Sequence, residues 1–200
     1  MKAVAMPEEK ESRLQVIERS SLKVGSFIDL ATSKKTRADF TVIATCGIDK
    51  QQNIFILNLL RGRWEWPDAY EYIVGELLAH RVRLAGVETN GFQLSSFQEL
   101  ARDSRLRNVA IYPVPVDTDK VSRSLLVSAR GAAGKLYYAR NASWAEDAIS
   151  EFCNFPAGKH DDIVDAVCGC VELLNKFAAK EPVVAPGVLR GRSKWRGRHQ

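Results

Sequence analysis

Five carboxylates stand out because of what surrounds them. Asp29 follows an apolar run in FIDLA, Glu88 ends RLAGVE, and Asp161, Asp162 and Asp165 open the segment HDDIVDAVCGCVELL. In that segment Ile163, Val164, Ala166, Val167, Val171, Leu173 and Leu174 cover so much of a helix's circumference that the helix must be largely buried. Buried carboxylates are costly unless paired or bound to a cation, and the cations nearby in sequence are few, Lys159 and His160. Singly, each acid has an ordinary explanation. Asp161 and Asp162 suit the positive end of a helix dipole, and Asp29 or Glu88 can end a strand in a turn. Gathered at one sheet edge, where parallel strands deliver their last residues, they repel one another unless divalent cations neutralise them. Oxygen ligands without cysteine point to magnesium or manganese. Two such ions about 4 Å apart can activate a water and stabilise the leaving oxygen in phosphodiester cleavage. In that chemistry Asp29 bridges both ions, Glu88 completes one side and Asp161 or Asp162 the other. Asp165, one turn beyond Asp161, is an outer ligand or a partner of one. His160 either positions water or leaving group or caps the helix, and Asp39 in RADF anchors its loop.

The elements that must carry these acids read as follows. LKVGSFIDLA suits a buried strand ending near Asp29 or Leu30. After the polar loop TSKKTRAD, FTVIATCGI and NIFILNLLRG form two strands joined by a turn at 49–52, an antiparallel hairpin. WPDAYEYIVGELLAHR is a helix with Pro67 in its first turn. RLAGVE is a strand, FQLSSFQELARD a helix and VAIYPVPV a strand. Residues 119–133 read as helical and GKLYYA as a short strand. SWAEDAISEFCNF is a helix in which Ser143 and Glu146 spell a capping box, and the last helix runs from about Lys159 to about Ala179. Three strands followed by alternating helix and strand give an α/β domain, a mixed sheet with helices on both faces.

Residues 1–21 are highly charged and read as a linker or frayed helix, 22–179 as the domain, and 180–200 as a disordered basic tail. The formal net charge is +5, but five basic residues against one acid from Glu181 onward supply +4, leaving +1 for the rest. Bulk charge therefore does not make the body a DNA-binding surface, and any such contact must be a local patch. The four cysteines, Cys46, Cys153, Cys168 and Cys170, form no C-x-x-C pair and read as small buried hydrophobes. No long apolar run suggests a membrane span. The start lacks the hydrophobic stretch of a secretory signal, so a cytosolic protein is expected.

The blocks FIDLA, RADFTVIATCGID, ILNLLRGRWEWPD, GVETNGFQ, DTDKVSR and FPAGKHDDIVDA, in that order across residues 24–176, resemble the nuclease domain of terminase large subunits of tailed phages and prophages. The resemblance implies a ribonuclease H-like fold, two-metal catalysis with Mg2+ or Mn2+, and cleavage of concatemeric double-stranded DNA during packaging in the host cytoplasm. It implies as partners an ATPase domain, a small terminase subunit and a portal. By motif it makes Asp29 the first-strand acid, Glu88 the fourth-strand acid and Asp161, Asp162 and Asp165 the final-helix cluster. One departure is that no G-x-x-x-x-G-K-[ST] loop is present; GAAGKL is too short between its glycines and has Leu136 in place of the hydroxyl. The chain therefore reads as a fragment or the product of a split gene, without a motor of its own.

For DNA, Lys120, Arg123 and Arg130 fall on one helical face and Lys34 and Lys35 lie in the loop after Asp29, two candidate phosphate contacts or else solvated surface. No base-reading motif occurs, so weak sequence specificity is expected. Two competing readings share much of this pattern. One is another nuclease of the same fold, resolvase-like or integrase-like; the other is a catalytically silent docking module of a packaging machine.

Overall fold

The computed structural model describes residues 17–31, 40–89, 93–115, 120–139, 141–158 and 160–178. Six strands form one sheet: β1 (Lys23–Asp29), β2 (Thr41–Ile48), β3 (Ile54–Gly62), β4 (Leu84–Glu88), β5 (Ala110–Val114) and β6 (Leu136–Tyr138). Five helices accompany them: α1 (Trp66–Ala79), α2 (Gln93–Arg102), α3 (Lys120–Ala132), α4 (Ala145–Asn154) and α5 (Asp162–Ala178). The strand order is β5-β4-β1-β2-β3-β6. β1–β2 and β2–β3 pair antiparallel, whereas β1–β4, β4–β5 and β3–β6 are parallel. Five strands therefore end at one edge, and only β2 begins there.

The sequence explains this order. β2 is buried along its whole length, as a central strand with both faces covered must be, and its run TVIATCGI is correspondingly free of charge. Its turn into β3 is held by Asp49, whose side chain accepts the Asn53 N–H at 2.8 Å. β5 and β6 lie at the sheet edges. There Pro113 of β5 is tolerated because the outer side of an edge strand needs no donor.

Two cores flank the sheet. Alternation along β1 sends Ile28 into one with Ile73, Val74 and Leu77 of α1, Ala85 and Val87 of β4, and Leu100 of α2. It sends Phe27 into the other with Val42, Ala44 and Cys46 of β2 and Val164, Val167 and Val171 of α5. A buried polar chain crosses the first face: Ser26 Oγ lies 2.7 Å from Thr45 Oγ1, which donates to Glu76 Oε1 at 2.9 Å. No described helix is long and apolar enough to cross a membrane.

Most of the expected elements occur. Three details differ. The capping box at Ser143 is not made: α4 begins at Ala145, its N-cap position is Trp144, and no side chain caps it. Trp144 instead donates its indole N–H to Asn58 Oδ1 at 3.1 Å, and the Ala142–Ala145 turn takes up the residues before the helix. α5 starts at Asp162 rather than near Lys159. Cys46, Cys168 and Cys170 are buried as expected, but Cys153 is exposed on α4. The Cys170 thiol and burial push the Cys46 thiol well above its ordinary value, so it stays protonated. The expected linker and tail lie outside the described residues, apart from the short turn at Arg19–Ser21.

Candidate metal centre at the acidic edge

The site is built by register. β1 and β4 are parallel neighbours with Ile28 opposite Val87, so the residues that follow, Asp29 and Glu88, end adjacent strands at the same level. Alternation then settles which way they face. Gly25 and Phe27 lie under α5, where a Cβ on Gly25 would meet Leu174 and a Cβ on Gly169 would meet the Phe27 ring. Gly86 of β4 likewise faces Leu173. With the strand period of two, Asp29 and Glu88 share that α5 face.

α5 runs antiparallel to β1 and brings its own acids to the same edge. Gly169 lies level with Phe27; two strand residues rise about 6.6 Å and four helix residues about 6 Å, so Asp165 comes level with Asp29. At 3.6 residues per turn, Asp162 is rotated only about 20° from the Gly169 direction and Asp165 about 40°, whereas Asp161 is turned about 80° away. Asp165 is 5 % exposed and Glu88 9 %, so both carboxylates sit in poorly solvated surroundings. Asp161 immediately precedes the helix, and its carbonyl accepts the Asp165 N–H at 2.9 Å, the backbone geometry of a helix N-cap.

Around this edge stand residues that the sequence pattern did not single out. Glu151 of α4 is buried; its Oε1 accepts the Ile163 N–H at 2.7 Å and its Oε2 accepts Arg61 Nη1 at 2.9 Å. Arg61 also reaches Asp147 at 2.6 Å. Burial, and then the charge of Asp162, push the Glu151 carboxyl up, against the lowering effect of the Ile163 N–H and of Arg61. Phe40, at the entry to β2, carries the Arg63 guanidinium 3.9 Å above its ring and packs edge-on against His160 at 5.6 Å. His160 Nδ1 lies 4.0 Å from Asp162 Oδ2. Arg63 is exposed and, among the described residues, makes no side-chain hydrogen bond or ion pair. Its signal lay in the string RGRWEWPD, which places cations at the end of a strand neighbouring the acids. Glu151 gave no such signal.

The other expected residues fall elsewhere. Lys34, Lys35 and Asp39 lie outside the described residues, and for Lys120 and Arg123 the helical backbone alone is described. Arg130 does not join a cationic stripe beside the acids. It sits near the far end of α3, before β6 begins, and its Nη2 donates to Gln52 Oε1 at 3.0 Å and Asn175 Oδ1 at 3.3 Å. Burial pushes its pKa down, as expected for a cation drawn off the surface.

Whether this edge fits a cation can be judged from its donors. Among the described residues the strand-end and helix-start donors are carboxylates, the hard oxygen set that suits magnesium, manganese or calcium rather than zinc. Among the described residues no three His, Cys, Asp or Glu side chains are drawn together closely enough to hold an ion. The strand ends and helix phase bring the acids to one edge without forming a closed cage there.

A family model described as a terminase RNaseH-like domain matches residues 4–172. Among solved structures, the human cytomegalovirus terminase nuclease domain, soaked with manganese and bound to an inhibitor, is 16% identical with a TM-score of 0.60, covering 82% of this chain and 89% of that one. The nuclease domain of the large terminase subunit of bacterial virus Sf6 is 9% identical with a TM-score of 0.53, covering 74% and 87%. At such identities the likeness is one of fold. No curated protein matches.

Proposed function

The chain belongs to the terminase RNaseH-like domain family, and from that premise we propose that it is a metal-dependent endonuclease that cuts concatemeric double-stranded viral DNA during genome packaging. What supports this reading is the family match together with the placement of Asp29 and Glu88 at the ends of adjacent parallel strands and of Asp162 and Asp165 at the start of the helix packed over them. Acids placed so would destabilise the fold by mutual repulsion unless a cation or another partner offset it.

Asp29, Glu88, Asp162 and Asp165 are the residues that would hold one or two divalent ions, with Asp161 at the helix cap. Magnesium or manganese fits their oxygen donors, and the manganese-soaked cytomegalovirus domain supports the choice. When bound, such ions polarise the phosphodiester and lower the pKa of water. The chain's own groups supply the rest. Arg63, fixed on the Phe40 ring, offers a guanidinium to a backbone phosphate. His160, steadied by Phe40 on one side and Asp162 on the other, presents a ring nitrogen for the proton of water or leaving oxygen. The sequence carries no base-reading motif, and the reading includes low sequence specificity of cleavage. The partners this reading implies are double-stranded DNA, a terminase ATPase domain, a small terminase subunit and a portal.

The test is a plasmid-nicking assay in EDTA, magnesium or manganese, beside Asp29→Asn. Cleavage that requires the metal and disappears in the variant is the expected result. Full activity in Asp29→Asn would overturn the ligand assignment. A folded protein that cuts in no metal would instead be a docking module that keeps the fold without the chemistry.

A further inference from the structure

At the sheet edge opposite the acids, a cavity of about 680 Å3 opens between the start of β1, the start of β4 and the ends of α1 and α5. Lys23 begins β1 and Asp29 ends it, so the two edges lie about 20 Å apart. The cavity has an apolar floor, of which Leu84, Leu174 and Phe177 are part, and a rim carrying Arg19, Lys23, Arg81 and Arg83. No acidic residue is among the described residues that line it. In a body whose first 180 residues carry a net charge of only +1, such a concentration of cations is local.

Arg81 adds an independent observation. It terminates α1 in a left-handed conformation, φ 46°, with its N–H bonded to the Leu78 carbonyl at 3.0 Å and the Val82 N–H bonded to the Leu77 carbonyl at 2.9 Å. This is the αL position of a Schellman motif, where glycine is favoured because a side chain is strained there. The arginine gains nothing within the described fold to offset that strain. Its guanidinium is exposed and has no hydrogen-bond or ion-pair partner among the described residues, and the same holds for Arg83. Arg19, by contrast, is already committed to His80, donating to its carbonyl and lying 3.2 Å from its Nδ1. Backbone strain of this kind occurs in ordinary turns as well as at ligand sites, and here it coincides with a cavity whose rim is cationic.

We propose that this cavity binds a nucleotide, free or as a unit of a DNA strand, with Arg81 and Arg83 on the phosphate and the base on the apolar floor. Two guanidinium forks match phosphate oxygens bidentately, and the volume falls within the range of small-ligand sites, about 300–1,000 Å3. A ligand anionic at one end and flat and apolar at the other fits both parts of the cavity. An acidic peptide satisfies the rim alone. The proposal stands apart from the nuclease reading.

The test is calorimetric titration of the full chain in EDTA with dAMP, inorganic phosphate and a short oligo-dT. Wild type, Arg81→Gly, the double variant Arg81→Gly/Arg83→Ala and Asp29→Asn are compared. Wild type and Asp29→Asn should bind dAMP alike and more tightly than phosphate. The double variant should lose about tenfold or more in affinity, roughly 1.4 kcal/mol. Arg81→Gly alone should weaken binding while raising the melting temperature, an opposition that a merely structural arginine would not produce. Oligo-dT binding that exceeds dAMP binding and is lost in the double variant identifies a strand as the source; dAMP binding at least as tight identifies the free nucleotide. Unchanged dAMP affinity in the double variant would overturn the proposal, as would an oligoglutamate that competes as well as dAMP. Loss of metal-dependent cleavage in Asp29→Asn, with dAMP binding intact, separates the two sites.

Discussion

Glu151 Oε1 accepts the backbone N–H of Ile163 at 2.7 Å, so a carboxylate on α4 satisfies a first-turn donor of α5 that has no partner within its own helix. Its second oxygen holds Arg61 at the end of β3. The start of the acid-bearing helix is thereby tied both to a neighbouring helix and to the sheet edge where Asp29 lies.

Removing that tie should loosen the site. Glu151→Ala strands a buried N–H and half of the Arg61 contacts, and we expect a loss of about 2–3 kcal/mol in urea unfolding, with weaker cleavage. The pH dependence follows from the sign of the shift. The Glu151 carboxyl is raised above its ordinary 4.5, so the folded state holds the proton more tightly than the unfolded state. Its contribution to stability is complete below that value and is lost as pH rises through the raised one. Glu151→Gln, which cannot ionise, should not show this decline. A constant gap between wild type and Glu151→Gln from pH 4 to 8 would contradict the argument.

The three helix acids should separate by phase. By helical phase Asp162 and Asp165 lie within about 40° of the direction that Gly169 takes toward β1, whereas Asp161, at the helix start, lies about 80° from it. Asp162→Asn and Asp165→Asn should each lower metal-dependent nicking by about 100-fold or more, on the scale of losing a group that stabilises the reacting phosphate. Asp161→Asn should cost little activity, because asparagine caps helices about as well as aspartate. Equal losses at all three positions would show that the phase argument does not govern the site.

Much of the fold, and the placement of Asp29 and Glu88 at strand ends, was legible in the sequence, and the reasons are specific. Asp29 and Glu88 interrupt apolar runs, and a carboxylate that ends a buried strand announces itself through its neighbours. Glu151 did not, because in SWAEDAISEF it looks like one more solvated acid on an amphipathic helix, and its partners Arg61 and Ile163 reach it only through the fold. The capping box at Ser143 failed for a similar reason: a long-range contact between Trp144 and Asn58 outweighed a local hydrogen bond. Helical spacing put Arg130 in line with Lys120 and Arg123, but spacing alone does not say that the far end of α3 approaches Gln52 and Asn175.

The close approach of α5 to β1 should be sensitive to a single methyl group. A Cβ at Gly169 would lie 2.7 Å from Phe27 ring atoms, inside any tolerable contact. Gly169→Ala must displace α5 or the ring, at about 1–3 kcal/mol, and should move Asp165 relative to Asp29 enough to depress cleavage. Gly75→Ala is the control. It lies in α1 with nothing within 4 Å of the added Cβ, so it should stabilise by up to about 1 kcal/mol and leave cleavage unchanged. If Gly169→Ala unfolds and cuts like wild type, the contact is softer than its distance implies.

Cation binding can be followed without any cleavage. If the acidic edge holds magnesium or manganese, the folded state alone carries the complete site, since Asp29, Glu88 and the α5 acids are brought together only by the parallel β1–β4 register and the α5 packing. Binding then stabilises the fold by mass action, about 2.7 kcal/mol when the free ion is at 100 times its dissociation constant. The melting temperature of wild type should therefore rise with manganese and return with EDTA. Asp29→Asn and Glu88→Gln remove charge from the cluster, so in EDTA each should melt at or above the wild-type temperature, and each should lose most of the manganese-dependent rise. Arg81→Gly, at the opposite edge, should keep that rise in full. A wild-type melting temperature indifferent to both ions would mean that these acids meet at the sheet edge without holding a metal there.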